Sequence, residues 1–363
     1  MFDLIPLEYY SLLFYNFLLL VVLIMYFQSI RTDLDSNSNI NKKRILGTFV
    51  LCLLIFYMGV RPISGSYFGD MGRYALMFND YAAGKDLITK KDVLFEVLMY
   101  TSSAVMDVYV FFLFCAFLYC YAVYRISVKY FESYWFYAFL IQIAALSFWG
   151  AGTNGIRNGL GAACFLWALS MSNKKITWVL LICSVSIHGS MLLPVAAYFL
   201  TLYYKNTKMY FYFWLISIPL SLALGGFFES IFANLGFGSE ERIAGYLTEL
   251  DEGISNSRTG FRWDFLIYSA SGVFSGWYFI IKRKFVDVFY SHLFNMFLIC
   301  NAFWVLVIRA NFSNRFAYLS WFLLGLVIIY PLLKMKFFNN QHVIVGRVIF
   351  VFFMVTYILM VLV

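Results

Sequence analysis

FWGAGTNGIRNGLGAACFLWAL, residues 148–169, is an apolar, helix-forming run interrupted by Asn154, Arg157 and Asn158. Gly150 and Gly152 permit a sharp turn ahead of the break, and Asn154 is placed to cap the helix that follows. An arginine in such a run keeps its charge and is costly near the middle of a bilayer. It also offers a planar fork of donors matched to the paired oxygens of a phosphate or carboxylate. Two plainer accounts stand beside that one: the side chain snorkels to the headgroups, or it pairs with a structural acid. The surrounding chain has to decide between them.

Outward from this stretch the chain stays apolar. Of 363 residues, 63% are hydrophobic and 13% charged, and the mean hydropathy is +0.78, the composition of a polytopic membrane protein. The net charge of +8 does not indicate nucleic acid, because Lys and Arg sit in short links between apolar runs, where they act as topology signals. The cysteines, Cys52, Cys115, Cys120, Cys164, Cys183 and Cys300, are scattered through apolar segments without the close pairs of a zinc site or the loop placement of a disulfide framework. The start, MFDLIPLEYY, lacks the basic flank and cleavage site of a removable signal, so its apolar run is expected to remain as a span. No dinucleotide fingerprint, P-loop or ATPase module is present, and no nucleotide cofactor is expected.

Charges between the apolar runs set a topology. A first span over 9–27 leads to Arg31 and the Lys42, Lys43, Arg44 cluster on the inner side, which puts the N-terminus outside. A span over 45–60 runs outward to a long external segment, 61–104, with a short interfacial helix over 93–100. Spans over 105–124 and 134–149 follow, and the helix entered at the Asn154–Arg157 break descends to Lys174 and Lys175. Residues 176–204 are too long for one span and too short for two. A single crossing would reverse the inside-positive bias at Lys205 and Lys208, in the acidic 227–260 segment and at Lys282, Arg283 and Lys284. A hairpin of two short membrane helices meeting near His188 avoids this. Spans over 210–225, 261–281, 285–308, 316–333 and 343–362 complete the chain, with the second long external segment at 227–260. The expectation is an all-α polytopic protein, one integral membrane domain with about ten full transmembrane helices plus a short hairpin and both termini external.

On this topology the two long external segments, the Arg157 break, the His188 hairpin and the Arg309–Arg315 turn meet at the outer half of the membrane. A lipid diphosphate would lie with its tail between helices and its headgroup at this level, where arginines can neutralise phosphate and stabilise charge as a glycosyl–phosphate bond breaks. Asp70, in GDMGRYALMF beside Arg73 and Tyr74, is the acid best placed to act as base or to position an acceptor; a loop salt bridge is its plainer role. Asp80, Asp86 and Asp92, close to basic residues, read as solvated surface. His188 is the second candidate base, since a neutral imidazole accepts a proton near neutrality and this one sits at a Gly/Ser break. Arg258, Arg309 and Arg315 are candidates for phosphate or glycan carboxylate. His292 and His342 lie toward the inner side, so no metal site is expected. Tyr67, Phe68, Tyr74, Phe78 and Tyr81 could stack on sugar faces, although an interfacial aromatic belt has the same composition.

The order of these pieces resembles the EpsG family, a branch of the Wzy-like polymerases of bacterial exopolysaccharide, capsule and O-antigen synthesis. The matching stretches are GDMGRYALMF with Asp70 and Tyr74, TNGIRNGLGAACFLWAL with Asn154, Arg157 and Ala162, SIHGSMLLP with His188, and NRFAYLSWFLLG with Arg315 and Tyr318. The resemblance implies polymerisation of undecaprenyl-diphosphate-linked repeat units at the external face of the cytoplasmic membrane, without metal, alongside a flippase and a chain-length regulator. Arg157 with Arg315, and Arg258 or Arg309, would then hold diphosphate or developing charge. Arg73, Tyr74, Asn154, Asn158 and Tyr318 would contact substrate, and Asp70 or His188 would serve the acceptor. A glycan ligase, a transferase using a lipid-monophosphate sugar, and a flippase or secondary transporter binding an anion at its broken helices are the alternatives.

Overall fold

The computed structural model describes residues 5–87, 91–234, 260–310 and 313–362, with backbone alone over 229–234. Among them the helices are α1 Tyr10–Arg31, α2 Asn37–Gly59, α3 Gly65–Phe68, α4 Asp70–Ala82, α5 Val93–Ser103, α6 Val108–Phe131, α7 Trp135–Ile143, α8 Leu146–Thr153, α9 Ile156–Ser170 and α10 Lys174–Ile187. They continue with α11 Leu192–Tyr203, α12 Thr207–Asn234, α13 Trp263–Gly276, α14 Val288–Leu306, α15 Asn314–Lys334 and α16 Gln341–Tyr357. No described residue lies in a strand. The chain divides into two compact units, Met1–Met191 with Ile329–Val363, and Leu192–Ile328.

The first unit is built around α7, whose nine residues, WFYAFLIQI, are all buried. α2 and α16 pack on it, and α2 also packs on α6. Gly47 permits the close approach on the α2 side, since a Cβ there would lie 2.5 Å from Cη2 of Trp135. The opening stretch explains the other close contact. α9 packs against α6, α8 and α10, and its small residues make this a backbone-to-backbone fit. A Cβ on Gly159 would overlap the Ala151 carbonyl of α8, and one on Gly161 would lie 2.9 Å from Cγ of Met191. Ser184 of α10 donates to the Gly161 carbonyl at 2.7 Å. Residues 61–104, expected to be a folded external segment, contain α3 to α5 and bury Phe68, Met71, Tyr74, Phe78, Phe95 and Met99. Each such side chain contributes on the order of 1.5–3 kcal/mol.

Where that segment leaves α2, Arg61 is 1% exposed. Its Nη1 donates to the Met58 carbonyl and its Nη2 to the Thr153 carbonyl at 2.6 Å, so it joins the C-terminal ends of α2 and α8. The rings of Phe68 and Phe112 lie 5.4 and 5.8 Å from its Cζ. Carbonyls at helix C-termini carry partial negative charge, and here they take the place of an acid.

In the second unit α14 packs against α11, α12 and α13. Some of the polar side chains inside it are paired: Trp214 Nε1 donates to Asn301 at 2.7 Å, Asn301 Nδ2 to Ser320 at 2.9 Å, and Trp321 Nε1 to Ser269 at 2.7 Å. α12 carries Pro219 and departs from helical geometry at Leu224 (φ −129°, ψ 25°).

The expected ten full spans are not present. Among the described residues six helical stretches are long and apolar enough to cross a membrane: Leu7–Arg31, Val108–Ile143, Thr207–Phe228, Val288–Leu306, Asn314–Lys334 and Gln341–Leu362. Four expected spans fail for separate reasons. α2 opens on the polar run NSNINKKR, and its apolar part begins at Ile45 and stops at Gly59. The 134–149 run is two helices of nine and eight residues, parted where Ala145 adopts an extended conformation. α9 has 15 residues. α13 continues through a π-helical turn, Trp277–Lys282, so it is long enough, but Asp264, Ser269, Ser271, Gly272 and Ser275 dilute its hydropathy. The 176–204 run is likewise interrupted: the 14-residue α10 ends where His188 turns extended (φ −149°, ψ 112°), and the 12-residue α11 begins at Leu192.

Candidate functional site

The break in residues 148–169 is a helix end followed by a new helix. α8 closes with the Asn154 and Gly155 N–H groups both donating to the Gly150 carbonyl, at 3.0 and 2.9 Å. α9 opens on Gly155 with no side-chain cap. Asn154 therefore does not cap α9 as expected. Its Oδ1 accepts the Asp70 N–H at 3.0 Å, and its side chain lies against Gly69, which takes a φ of +48°. The asparagine thus ties the turn between α3 and α4 to the break between α8 and α9.

Arg157 lies in the first turn of α9, the positive end of the helix, where a cation is disfavoured unless an anion accompanies it. That anion is Asp92. Arg157 Nη1 donates to Asp92 Oδ2 at 2.9 Å and Nε to the Tyr74 hydroxyl at 3.0 Å. The two charged side chains are 19% and 12% exposed, so the pair is largely desolvated and removal of either partner would strand a buried charge. Asp92 precedes α5 in a left-handed conformation (φ 54°, ψ 42°) without capping it. Its Oδ1 instead accepts the Gly189 N–H at 2.8 Å. His188 Nδ1 lies 3.5 Å from Oδ2, an ion-pair distance without hydrogen-bond geometry. Burial by itself would raise the Asp92 pKa, but the His188 imidazole, the Gly189 N–H and the Arg157 charge together hold it below the ordinary carboxylate value.

Beside this cluster is a small cleft lined by Arg73, Tyr74, Met77, Phe95, Glu96 and Arg157. Tyr74 packs edge-on to Phe95 at 5.2 Å, and Glu96 accepts the Tyr81 hydroxyl at 2.9 Å. Among the described residues no three His, Cys, Asp or Glu side chains are grouped to hold a metal ion.

The other expected residues are distributed as follows. Asp70 is the first residue of α4, half-buried, and its carboxylate makes no hydrogen bond or ion pair among the described residues. Asn158 is half-buried and Arg73 exposed. Arg315 and Tyr318 lie at the start of α15 in the second unit. Arg309, also there, donates from Nη2 to the Leu222 carbonyl at 3.3 Å, beside the α12 kink. Arg258 lies outside the described residues. Sequence reasoning passed over Asp92 and Arg61. For Asp92 the local pattern points elsewhere: an aspartate directly before the apolar VLFEVLMY run reads as a helix cap, and the side chain caps nothing.

Fold and site together define a polytopic all-helical membrane protein with a guanidinium-lined cleft at a broken helix. The family model described as EpsG family matches residues 44–363, and the chain belongs to the EpsG family. Membership supports an enzymatic, membrane-associated role in glycan processing. Neither the curated proteins nor the solved structures contain a match.

Proposed function

We propose that the chain polymerises undecaprenyl-diphosphate-linked oligosaccharide repeat units by glycosyl transfer at the external face of the cytoplasmic membrane. The observation that carries this reading, within an EpsG-family chain, is the cleft that Arg73 and Arg157 line beside Tyr74. Tyr74 and Asp92 hold Arg157 through Nε and Nη1, and its Nη2 makes no hydrogen bond among the described residues. A held guanidinium with a donor to spare suits a diphosphate whose charge grows as the glycosyl–phosphate bond breaks, because a preoriented donor needs no reorganisation at that moment. The activated sugar supplies the energy. The acceptor sugar hydroxyl needs a base or a positioning group, and Asp70 and His188 are the candidates. Arg315 and Tyr318, on the NRFAYLSWFLLG stretch, are proposed substrate contacts of the second unit. A flippase that delivers the repeat units and a regulator of chain length are the proposed partners.

The test is elongation in proteoliposomes supplied with lipid-linked repeat units extracted from host cells deleted for this chain. Product length and release of undecaprenyl diphosphate are followed. Wild-type protein is expected to give a ladder of products, and Arg157→Ala to slow it on the order of 100-fold, the loss seen when one charge-stabilising donor is removed. Transport of the repeat unit across the bilayer without elongation, or its single transfer to a different lipid, would refute polymerisation.

A further inference from the structure

The two nitrogens of His188 have different surroundings. Nδ1 is buried, makes no hydrogen bond and faces Asp92 Oδ2 at 3.5 Å. The side chain as a whole is 24% exposed, and Nε2 is not among the buried polar atoms without partners. The carboxylate is anchored to the histidine's own turn, because its other oxygen takes the Gly189 N–H at 2.8 Å. α9 is also close: a Cβ on Gly161 would lie 3.3 Å from Cβ of His188. The base of the side chain therefore packs near a glycine of the NGLGAA run while its Nδ1 faces the Asp92 carboxylate.

Asp92 itself sits where a non-glycine residue is strained by about 1–3 kcal/mol. An aspartate directly before a helix ordinarily turns its carboxylate onto the helix N–H groups. This one leaves α5 without a side-chain cap and reaches Arg157, Gly189 and His188 instead. Among the described residues the charged groups gathered at the imidazole are Asp92 before α5 and Arg157 from α9, with the Tyr74 phenol of α4 bonded to Arg157 and the Asp70 carboxylate also acting on it.

We propose that Asp92 is a positioning residue that holds His188 with its proton on Nδ1, so that Nε2 is the base for the acceptor hydroxyl, while the same carboxylate keeps Arg157 beside the leaving diphosphate. This rests on the glycosyl-transfer reading above. The acceptor hydroxyl gives its proton to Nε2 as its oxygen bonds to the anomeric carbon of the donor chain. The bond from that carbon to the diphosphate oxygen breaks, and the diphosphate leaves with the electron pair. The imidazolium, stabilised by Asp92, then returns the proton to water. A carboxylate that fixes a histidine tautomer and steadies its protonated form is a general device for such a base.

The experiment is the proteoliposome assay with the same extracted lipid-linked repeat units, run on wild type, His188→Ala, Asp92→Asn and the double variant. His188→Ala is expected to lower kcat by about 100-fold or more, with KM changed less than about threefold and the acid limb of the pH–rate profile abolished. Asp92→Asn is expected to lower kcat at least about tenfold and to move that limb to lower pH, because the imidazolium loses its counter-charge. The double variant should be slower than His188→Ala only by the share that Asp92 contributes through Arg157, well short of the product of the two single losses, as for residues acting in one unit. Where Asp92→Asn does not fold, Asp92→Glu keeps the charge and should lower kcat without moving the limb. A wild-type kcat in His188→Ala, losses that multiply in the double variant, or an Asp92→Asn effect confined to KM would overturn the inference while polymerisation stands. Wild-type protein that makes no polymer would overturn both.

Discussion

Gly159→Ala adds one methyl group to the residue in the break helix with the least room. Its new Cβ would overlap the Ala151 carbonyl oxygen and sit 3.0 Å from the carbonyl carbon, against about 3.5 Å for carbons in good contact. Both are backbone atoms of α8, so no side chain can swing away, and α8 and α9 must part by at least about half an ångström. Overpacking of this kind costs about 1–3 kcal/mol. Arg157 is on the same helix and would move relative to Asp92. A misplacement of about 1 Å can lower turnover about 100-fold, so half of that should cost about tenfold. Gly155→Ala is the matched control on the same break, since the nearest atom to its Cβ is 3.8 Å away and its effect should stay within about 0.5 kcal/mol. The assay is the thermal transition in detergent together with elongation in proteoliposomes. Equal transitions and equal rates for the two variants would refute the claim that backbone contact between α8 and α9 places Arg157.

Two further perturbations probe the same unit. Gly69→Ala forces a left-handed residue to carry a side chain, with its Cβ 2.6 Å from Cγ of Asn154; it should destabilise by about 1–3 kcal/mol, whereas Asn154→Ala should lose only the hydrogen bond to the Asp70 N–H, about 0.5–1.5 kcal/mol. Both are read as thermal transitions, and a neutral Gly69→Ala would contradict the contact. Lys43, just ahead of the apolar part of α2, is buried with its Nζ donating to Gln28, and burial lowers its pKa to about 8. Below that pH the native state carries a buried charge; between about 8 and 10 the unfolded amine still holds its proton and the native one has lost it, so wild-type stability rises with pH there. Lys43→Met should therefore raise the thermal transition most below pH 8, with the gain shrinking toward about pH 10, as a series of melts across that range would show.

Several features were legible in the chain because they depend on local chemistry. The long apolar runs of α1, α15 and α16 announce themselves by length, and the break near Arg157 by glycine and asparagine inside an apolar run. The division of the 134–149 run into α7 and α8 was not legible. It falls at Ala144 and Ala145 in a segment without charge, glycine or proline, so no residue type marks the end of the helix. The length of α9 was misread because small residues that read as a membrane span instead serve backbone contact with α8 and α10. At the site, Tyr74, Arg157 and His188 stand out by residue type and neighbourhood, whereas Asp92, which follows Lys90 and Lys91, reads as solvated surface. Its partners lie 65 and more residues away in sequence, and no local pattern encodes such a meeting. Asn154 was recognised as a polar break and given the wrong partner for the same reason.

Arg61 and Arg157 fix the two ends of the same break by unlike means. Arg61 rests on main-chain carbonyls of α2 and α8, which neither titrate nor swing on a rotamer. Arg157 rests on the side-chain oxygens of Tyr74 and Asp92, which a change of rotamer can withdraw. Loss of either partner therefore frees the Arg157 side chain while the entry to α9 stays held by Arg61. The helix pair has a fixed jamb on one side and a removable latch on the other.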